Sequence, residues 1–261
     1  MNKLEKVLYE LNSIEGGVSS KCIIDLRAQL ISTLFFLVAM LSLPILDINS
    51  LILFIIFPII ECSYSSISYV KIIKRSTIVI PFVFLIGIFN PIFDQRVVLK
   101  IFDINITAGW ISFISIIFRA MLSTQVVLIL IYRSGFNNIC HSFQHLGVPS
   151  IFTNQLMFAY HYIFIMVQEA LSMQRARKAR GYGNNNYSFK MWGVIVGQLL
   201  LRTMDRASMI HKAMLSRGFS GHIETKNIMK WGINDNIYLT SWLFVFIILR
   251  FVNIPSLFSN I

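Results

Sequence analysis

The stretch that decides the topology reads LSMQRARKARGYG at residues 171–183 and HKAMLSRGFSGHIETKNIMK at residues 211–230. From Leu171 to Lys230 there are eleven Lys and Arg residues against two acids, a net +9 in a chain whose total is +11. The whole chain is 56% hydrophobic and only 13% charged, about half the charged share of a soluble protein, roughly 25%. A soluble fold of 261 residues could not bury so much apolar surface. The composition therefore predicts an all-α, polytopic membrane protein.

Five apolar runs of the length that a membrane-crossing helix needs, about 17–25 residues, are predicted to cross the membrane. Near the middle of two of them stands a charged residue, Glu61 in one and Arg119 in the other. A charge at mid-membrane costs at least about 2.5–3.5 kcal/mol, so both side chains are predicted to face the protein interior or an interface, and pairing with each other is one alternative. They are the candidate intramembrane functional residues. The five predicted spans are Gln29–Leu46, Leu51–Val70, Ser76–Phe93, Thr107–Tyr132 and Ile237–Ile254.

A sixth apolar run, Ile151–Val167, is predicted not to cross the membrane. The cationic cluster of Lys71, Lys74 and Arg75 places the loop between the second and third spans in the cytoplasm, because loops that stay inside collect Lys and Arg. The N-terminus is then cytoplasmic, and a crossing at Ile151–Val167 would put the +9 stretch outside. We expect a membrane-proximal helix instead. The predicted segments are residues 1–25 (cytoplasmic), 26–133 (four spans), 134–235 (cytoplasmic insert) and 236–261 (last span).

Three helices are predicted within the insert. The first covers about Asn137–His145 and ends at Gly147 and Pro149, which break helices. The second covers Ser150–Arg180. The third follows Asn184–Asn186, with Ser188 as its N-cap, and ends at Arg217. Its residues at helical spacing predict one apolar face, Val196, Leu199, Leu200, Thr203, Ala207, Ile210 and Met214, and an opposite basic face with Arg202, Arg206 and Lys212.

The second and third insert helices end in similar sequences, Ala179-Arg180-Gly181 and Ser216-Arg217-Gly218, 37 residues apart. A glycine just past a helix end accepts the left-handed conformation, and an arginine in the last turn complements the helix dipole. Either copy alone therefore reads as an ordinary helix stop. Two copies in the most basic region predict two rigid guanidinium forks suited to acidic or carbonyl-lined pockets of a partner.

From Asp25 onward the chain resembles the transmembrane T component of energy-coupling factor (ECF) transporters, in particular the cobalt-type CbiQ branch. The resemblance rests on Asp25-Leu26-Arg27-Ala28-Gln29-Leu30, on Leu146-Gly147-Val148-Pro149, on the two arginine–glycine ends and on Leu201–Ala207. The family usually has Lys at position 29, Ala at position 216 and a pair of threonines where this chain has Tyr132 and Arg133. None of these departures removes an arginine of the paired motif.

The resemblance implies a coupling role without chemistry of its own. In that family each motif lies in a groove of one of two ABC-type ATPase subunits, and the membrane helices hold a substrate-binding S component. Arg180 and Arg217 are then the anchors, Gly181 and Gly218 set the turn, and Ala179 and Ser216 allow close approach. We expect a supporting basic face with Arg175, Arg202, Arg206 and Lys212. The chain is not expected to be an enzyme, and ATP is expected to be used by the partner subunits.

The resemblance further implies uptake of cobalt or nickel ions across a bacterial or archaeal cell membrane. A general T component shared by vitamin-binding S components is an alternative that the sequence leaves open. A self-contained channel or secondary transporter using Glu61 and Arg119 is another. The partners of the basic stretch are expected to be the anionic bilayer surface and the ATPase subunits, with no nucleic acid.

No metal or cofactor is expected on this chain. His141 and His145 lie four residues apart, so a helix would place them on one face. No third ligand joins them beyond Cys140, which points elsewhere on a helix. We therefore predict packing or surface histidines. The remaining cysteines, Cys22 and Cys62, give no disulfide or zinc spacing.

Overall fold

The computed structural model describes residues 24–45, 47–65, 67–94, 96–101, 104–180, 189–219 and 231–251. Helices account for most of them. The helices are α1 (Leu26–Leu41), α2 (Ile48–Leu53), α3 (Ile56–Tyr64), α4 (Tyr69–Ser76), a 3₁₀ turn (Thr77–Val79), α5 (Ile80–Gly87), α6 (Phe89–Phe93), α7 (Ala108–Ser134), α8 (Phe136–His145), α9 (Ser150–Arg180), α10 (Phe189–Ser216) and α11 (Ile233–Phe251).

The predicted fold class, an all-α polytopic membrane protein, is confirmed. Three helical stretches of the described residues are long and apolar enough to cross a membrane: Tyr69–Phe93, Ala108–Ser134 and Ser150–Arg180. Shorter apolar helices cover Leu26–Leu41 and Asn49–Tyr64. Because Ser150–Arg180 qualifies by length and composition, its membrane-proximal position stays a prediction.

The second predicted span, Leu51–Val70, ends earlier than predicted and is not regular α-helix throughout. Regular α-helix stops after Leu53 and resumes at Ile56. Between these points the amides of Phe54 and Ile55 donate hydrogen bonds to the carbonyls three residues before them. Pro58 explains the interruption, because its ring clashes with the carbonyl four residues earlier, that of Phe54, and its nitrogen donates no hydrogen bond. The helix ends at Tyr64, six residues before the predicted boundary.

One short β-hairpin, which the sequence patterns did not predict, precedes α7. Strand β1 (Val97–Ile101) pairs antiparallel with β2 (Ile104–Thr107), and Ile101 lies opposite Ile104. The register shifts between Val97 and Leu99. The hairpin leads directly into the first turn of α7, where the Ala108 amide donates to the Arg96 carbonyl at 2.7 Å.

The chain divides into two compact units. One comprises the described part of Gly17–Gly135 together with that of Met229–Ile261, and the other the described part of Phe136–Ile228. The first unit is built around an aromatic cluster. Phe36 of α1 stacks on Phe57 of α3 with ring centroids 4.7 Å apart, and Phe57 meets Trp242 of α11 edge-on at 4.6 Å. Offset and edge-on contacts of this kind favour aromatic pairs beyond their simple burial.

The second unit contains α8, α9 and α10. The ring of Phe136, at the start of α8, stacks on that of Tyr160 in α9 at 4.5 Å. As predicted, α8 ends at His145 and the chain turns at Gly147, whose φ is +99°. The amide of Gly147 donates to the Gln144 carbonyl and that of Val148 to the Phe143 carbonyl, the paired bonds of a Schellman helix end.

We predict that Phe36→Ala lowers the free energy of unfolding by about 3–5 kcal/mol, because it opens a cavity among well-packed rings. Phe36 is fully buried. Reversible unfolding of the purified chain in detergent measures the change. Phe93→Ala is the matched control, since that ring is 83% exposed; equal losses for both variants would contradict a packed aromatic core.

Candidate functional site

The two long helices of the second unit, α9 and α10, run antiparallel. The guanidinium of Arg202 in α10 donates to the Glu169 carboxylate in α9. On one side of this ion pair, residues that precede Glu169 on α9 and residues that follow Arg202 on α10 line a shared groove. The C-terminal halves of the two helices therefore extend in opposite directions from the pair.

This arrangement separates the two predicted arginine–glycine ends. Arg180 lies eleven residues beyond Glu169, and Arg217 lies fifteen residues beyond Arg202. At 1.5 Å of rise per residue, the tips stand about 16 Å and about 22 Å from the ion pair along their own helices. The structure brings the two motifs into one unit but places them at opposite ends of the helix pair.

The end of α10 is a complete Schellman motif. The amide of Gly218 donates to the Leu215 carbonyl at 3.0 Å, and the amide of Phe219 donates to the Met214 carbonyl at 3.1 Å. Gly218 has a φ of +80°, which a residue with a Cβ adopts only with strain. Phe219 and Met214 line the same groove, which supplies the hydrophobic contact that often accompanies this motif. Ser216 donates its hydroxyl hydrogen to the Lys212 carbonyl at 2.9 Å.

Both anchor arginines are exposed. Within the part of the chain that the structure describes, the side chains of Arg180 and Arg217 make no hydrogen bond or ion pair. Ala179 and Ser216, the small residues before them, are exposed as well. Gly181 lies outside the described residues, as does the predicted N-cap Ser188. The guanidinium groups are thus presented to the surroundings at helix tips.

The predicted basic face of α10 needs one correction. Arg202 pairs with Glu169 of α9, and Arg206 lines the groove between the helices, so neither points away from α9. Arg206 is three residues after Thr203 and four before Ile210, both groove residues, and residues at these spacings are neighbours on a helix. Lys212 and Arg175 are exposed.

The family profile CbiQ, described as "Cobalt transport protein", matches residues 18–231 of this chain. The chain belongs to the CbiQ family. Two proteins of Methanocaldococcus jannaschii are similar to it. Uncharacterized protein MJ1571 is 31% identical over 231 residues, which cover 84% of this chain and 77% of that protein. Uncharacterized protein MJ1089 is 25% identical over 125 residues, 47% of each chain.

Membership of the CbiQ family identifies the chain as a membrane transport component. The matched region contains both arginine–glycine ends and all residues of the predicted basic face. The two relatives contribute similarity alone, since their names state neither a partner nor a substrate.

The two residues predicted to lie inside the membrane, Glu61 and Arg119, are buried as predicted but do not pair with each other. Glu61 is 4% exposed, and its carboxylate accepts a hydrogen bond from Arg133 at 2.7 Å and another from the Tyr238 hydroxyl. The pairing joins α3, α7 and α11. Buried charge inside a helix bundle is tolerated when an opposite charge and hydrogen bonds satisfy it.

Arg119 closes the end of α1. Its guanidinium donates to the Pro44 carbonyl at 2.7 Å and to the Met40 and Leu41 carbonyls at 3.4 Å each. These carbonyls lie at and just beyond the last turn of α1, where a cation is favoured by the helix dipole. The geometry gives Arg119 a structural role in the bundle.

Three residues that the sequence reasoning did not single out as partners complete this polar framework: Arg133, Tyr238 and Asp235. Asp235, at the start of α11, accepts from the Asp25 amide at 2.6 Å and from the Gly232 amide at 2.8 Å. It thereby joins the starts of α1 and α11. The position of Arg133, a charged residue directly after an apolar run, indicated that it could have a buried partner. No local sequence pattern indicated a role for Asp235.

Among the described residues no group of three or more His, Cys, Asp or Glu side chains could hold a metal ion. His141 is buried and His145 exposed. Burial, with a smaller contribution from the positive charge that His145 can carry, lowers the pKa of His141 below its usual range. Both effects favour the neutral form of His141.

We predict that Arg133→Met lowers the free energy of unfolding by about 3–5 kcal/mol, because Glu61 is left buried without its counter-charge. Combining it with Glu61→Gln should recover part of the loss. Arg96→Met serves as control: its pairing with Asp94 is exposed, so the change should stay below about 1 kcal/mol. Additive losses in the double variant, measured by unfolding in detergent, would argue against coupling of the two residues.

Proposed function

We propose that this chain is the transmembrane coupling component of an ECF-type ABC importer. It transmits the ATP-driven motion of two ATPase subunits to a membrane-embedded S component that binds the substrate. The chain itself does no chemistry and binds no cofactor. ATP is bound and hydrolysed by the partner subunits, in agreement with the lack of a GxxxxGK[ST] phosphate loop in this sequence.

The observation that carries the proposal is the pair of exposed arginine tips at opposite ends of α9 and α10. Two guanidinium groups that extend in opposite directions from the Glu169–Arg202 pair, about 16 Å and about 22 Å along their helices, are too far apart for one small groove. They suit two separate pockets, one in each ATPase subunit. A guanidinium can donate to carboxylates or carbonyls in a fixed, bidentate geometry.

The exposed apolar surface of the second unit supports a membrane-embedded partner. On α10, Leu201 and Met204 are 65% and 63% exposed, and both lie away from the groove shared with α9. Contiguous apolar surface of this kind marks contact with a membrane or another protein. We assign it to the S component and the surrounding lipid. The family description favours cobalt, or the chemically similar nickel, as the transported ion.

We predict that Arg180→Glu or Arg217→Glu abolishes uptake and weakens co-purification of the ATPase subunits at least tenfold, while membrane insertion is unchanged. A carboxylate at a helix tip is repelled by an acidic or carbonyl-lined pocket, and the guanidinium that would donate hydrogen bonds to this pocket is lost. Uptake of radiolabelled cobalt in cells that express the complete transporter measures the first effect.

Lys178→Glu is the matched control, because it reverses an exposed charge on the same helix two residues before Arg180. A smaller effect is expected from it. Normal uptake in the Arg180→Glu/Arg217→Glu double variant would contradict the proposed coupling.

We further predict that a cysteine at position 178 reacts with a membrane-impermeant thiol reagent only from the cytoplasmic side. A cysteine at position 96, just before the hairpin, should react from the outside. The test uses intact cells and inverted vesicles of a variant without Cys22, Cys62 and Cys140. Labelling of position 178 from outside would place the arginine tips on the wrong side for ATPase subunits.

A further inference from the structure

The groove between α9 and α10 has features of a ligand site that the coupling role does not use. Its volume is ≈ 430 Å³, within the range of about 300–1,000 Å³ that is usual for ligand pockets. Most of its wall is apolar. That part consists of Phe158, Ala159, Met166, Ala207, Ile210, Met214 and Phe219.

One cation lies in this apolar wall without a counter-charge. Arg206 is half-buried and lines the groove, and among the described residues it has neither a hydrogen bond nor an ion pair. The acid beside it in the sequence, Asp205, is exposed and forms no ion pair within the described residues.

Comparison with Arg202, one helical turn earlier, shows what Arg206 lacks. Arg202 meets Glu169 of α9, so its charge is compensated within the protein. The α9 residues that line the groove with Arg206 carry no charge: Gln155, Phe158, Ala159, Tyr162 and Met166. A guanidinium held against an apolar surface favours an anionic partner. An anion from outside this helix pair would compensate the charge of Arg206.

We propose that the groove binds an anionic phospholipid, with an acyl chain along the apolar wall and the phosphate at Arg206. His211, exposed at the groove, can donate a second hydrogen bond to the head group. The combination of a long apolar wall and a single unpaired cation matches an amphiphile with one negative head. It does not match a polar metabolite, which would leave the wall without contacts.

A lipid is favoured over a protein segment by the surroundings of the groove. The chain is embedded in a membrane, and α9, which forms one wall, is long and apolar enough to lie in it. Cytoplasmic leaflets carry anionic lipids, and basic pockets between membrane helices bind their head groups. The net +9 of the surrounding stretch raises the local concentration of such lipids.

Native mass spectrometry of the full-length chain, titrated with dioleoylphosphatidylglycerol or dioleoylphosphatidylcholine, tests the proposal. We expect the anionic lipid to bind at least fivefold more tightly. Arg206→Gln should remove about fivefold of that affinity, equivalent to about 1 kcal/mol for one cation near a lipid head group. Ala207→Phe, which fills the groove and keeps every charge, should weaken both lipids.

Lys212→Gln is the matched control, because it removes one exposed charge from the same helix, outside the groove. The affinity of this variant for the anionic lipid should stay within twofold of that of the unsubstituted chain. Equal losses in Arg206→Gln and Lys212→Gln would overturn the proposal in favour of diffuse charge attraction. It would also be overturned if Ala207→Phe bound both lipids normally, or if soluble glycerol phosphate competed as well as the lipid.

Discussion

A charge inside a lipid-embedded bundle must be satisfied by partners within the protein, and Glu61 meets this requirement with Arg133. The Tyr238 hydroxyl satisfies the second oxygen of the same carboxylate. Three helices from distant parts of the chain, α3, α7 and α11, are fixed to one another by this contact. Arg133 lies two residues before Gly135, where the first compact unit ends. The last turn of α7, from which the chain enters the second unit, is thus held by a bond that costs several kcal/mol to break.

The ends of a helix could be predicted closely from the sequence where a helix-breaking or helix-capping residue marks them. The helix α9 covers Ser150–Arg180 as predicted, because Pro149 favours its start and the Arg180-Gly181 pair its end. The break before Ile56 was missed, since a mid-run Pro58 can either kink a helix or end it. The hairpin before α7 was missed because its strands are too short to show a clear alternation.

Contacts between distant elements could not be predicted. Burial of Glu61 and Arg119 follows from the cost of charge in lipid, but their actual partners, Arg133 and the carbonyls at the end of α1, depend on how the helices pack. The same limit applies to α10. Four residues of its predicted apolar face, Thr203, Ala207, Ile210 and Met214, line the groove with α9, whereas Val196 and Leu200 are exposed. The positions of Arg202 and Arg206 could not be predicted, because they depend on α9, which brings an acid to Arg202 and none to Arg206.

The ends of α8 and α10 share the backbone geometry of the arginine–glycine motif, but only α10 carries its arginine. Both use a glycine with positive φ and the same pair of backbone bonds. At α8 the residue before the glycine is Leu146, whereas at α10 it is Arg217. Since the backbone geometry is common to both, it accounts for a stopped helix and nothing more. What distinguishes α10 is a permanently charged fork, exposed at the tip and unpaired among the described residues. The coupling function proposed above would therefore depend on the arginine, with the glycine fixing where the helix stops.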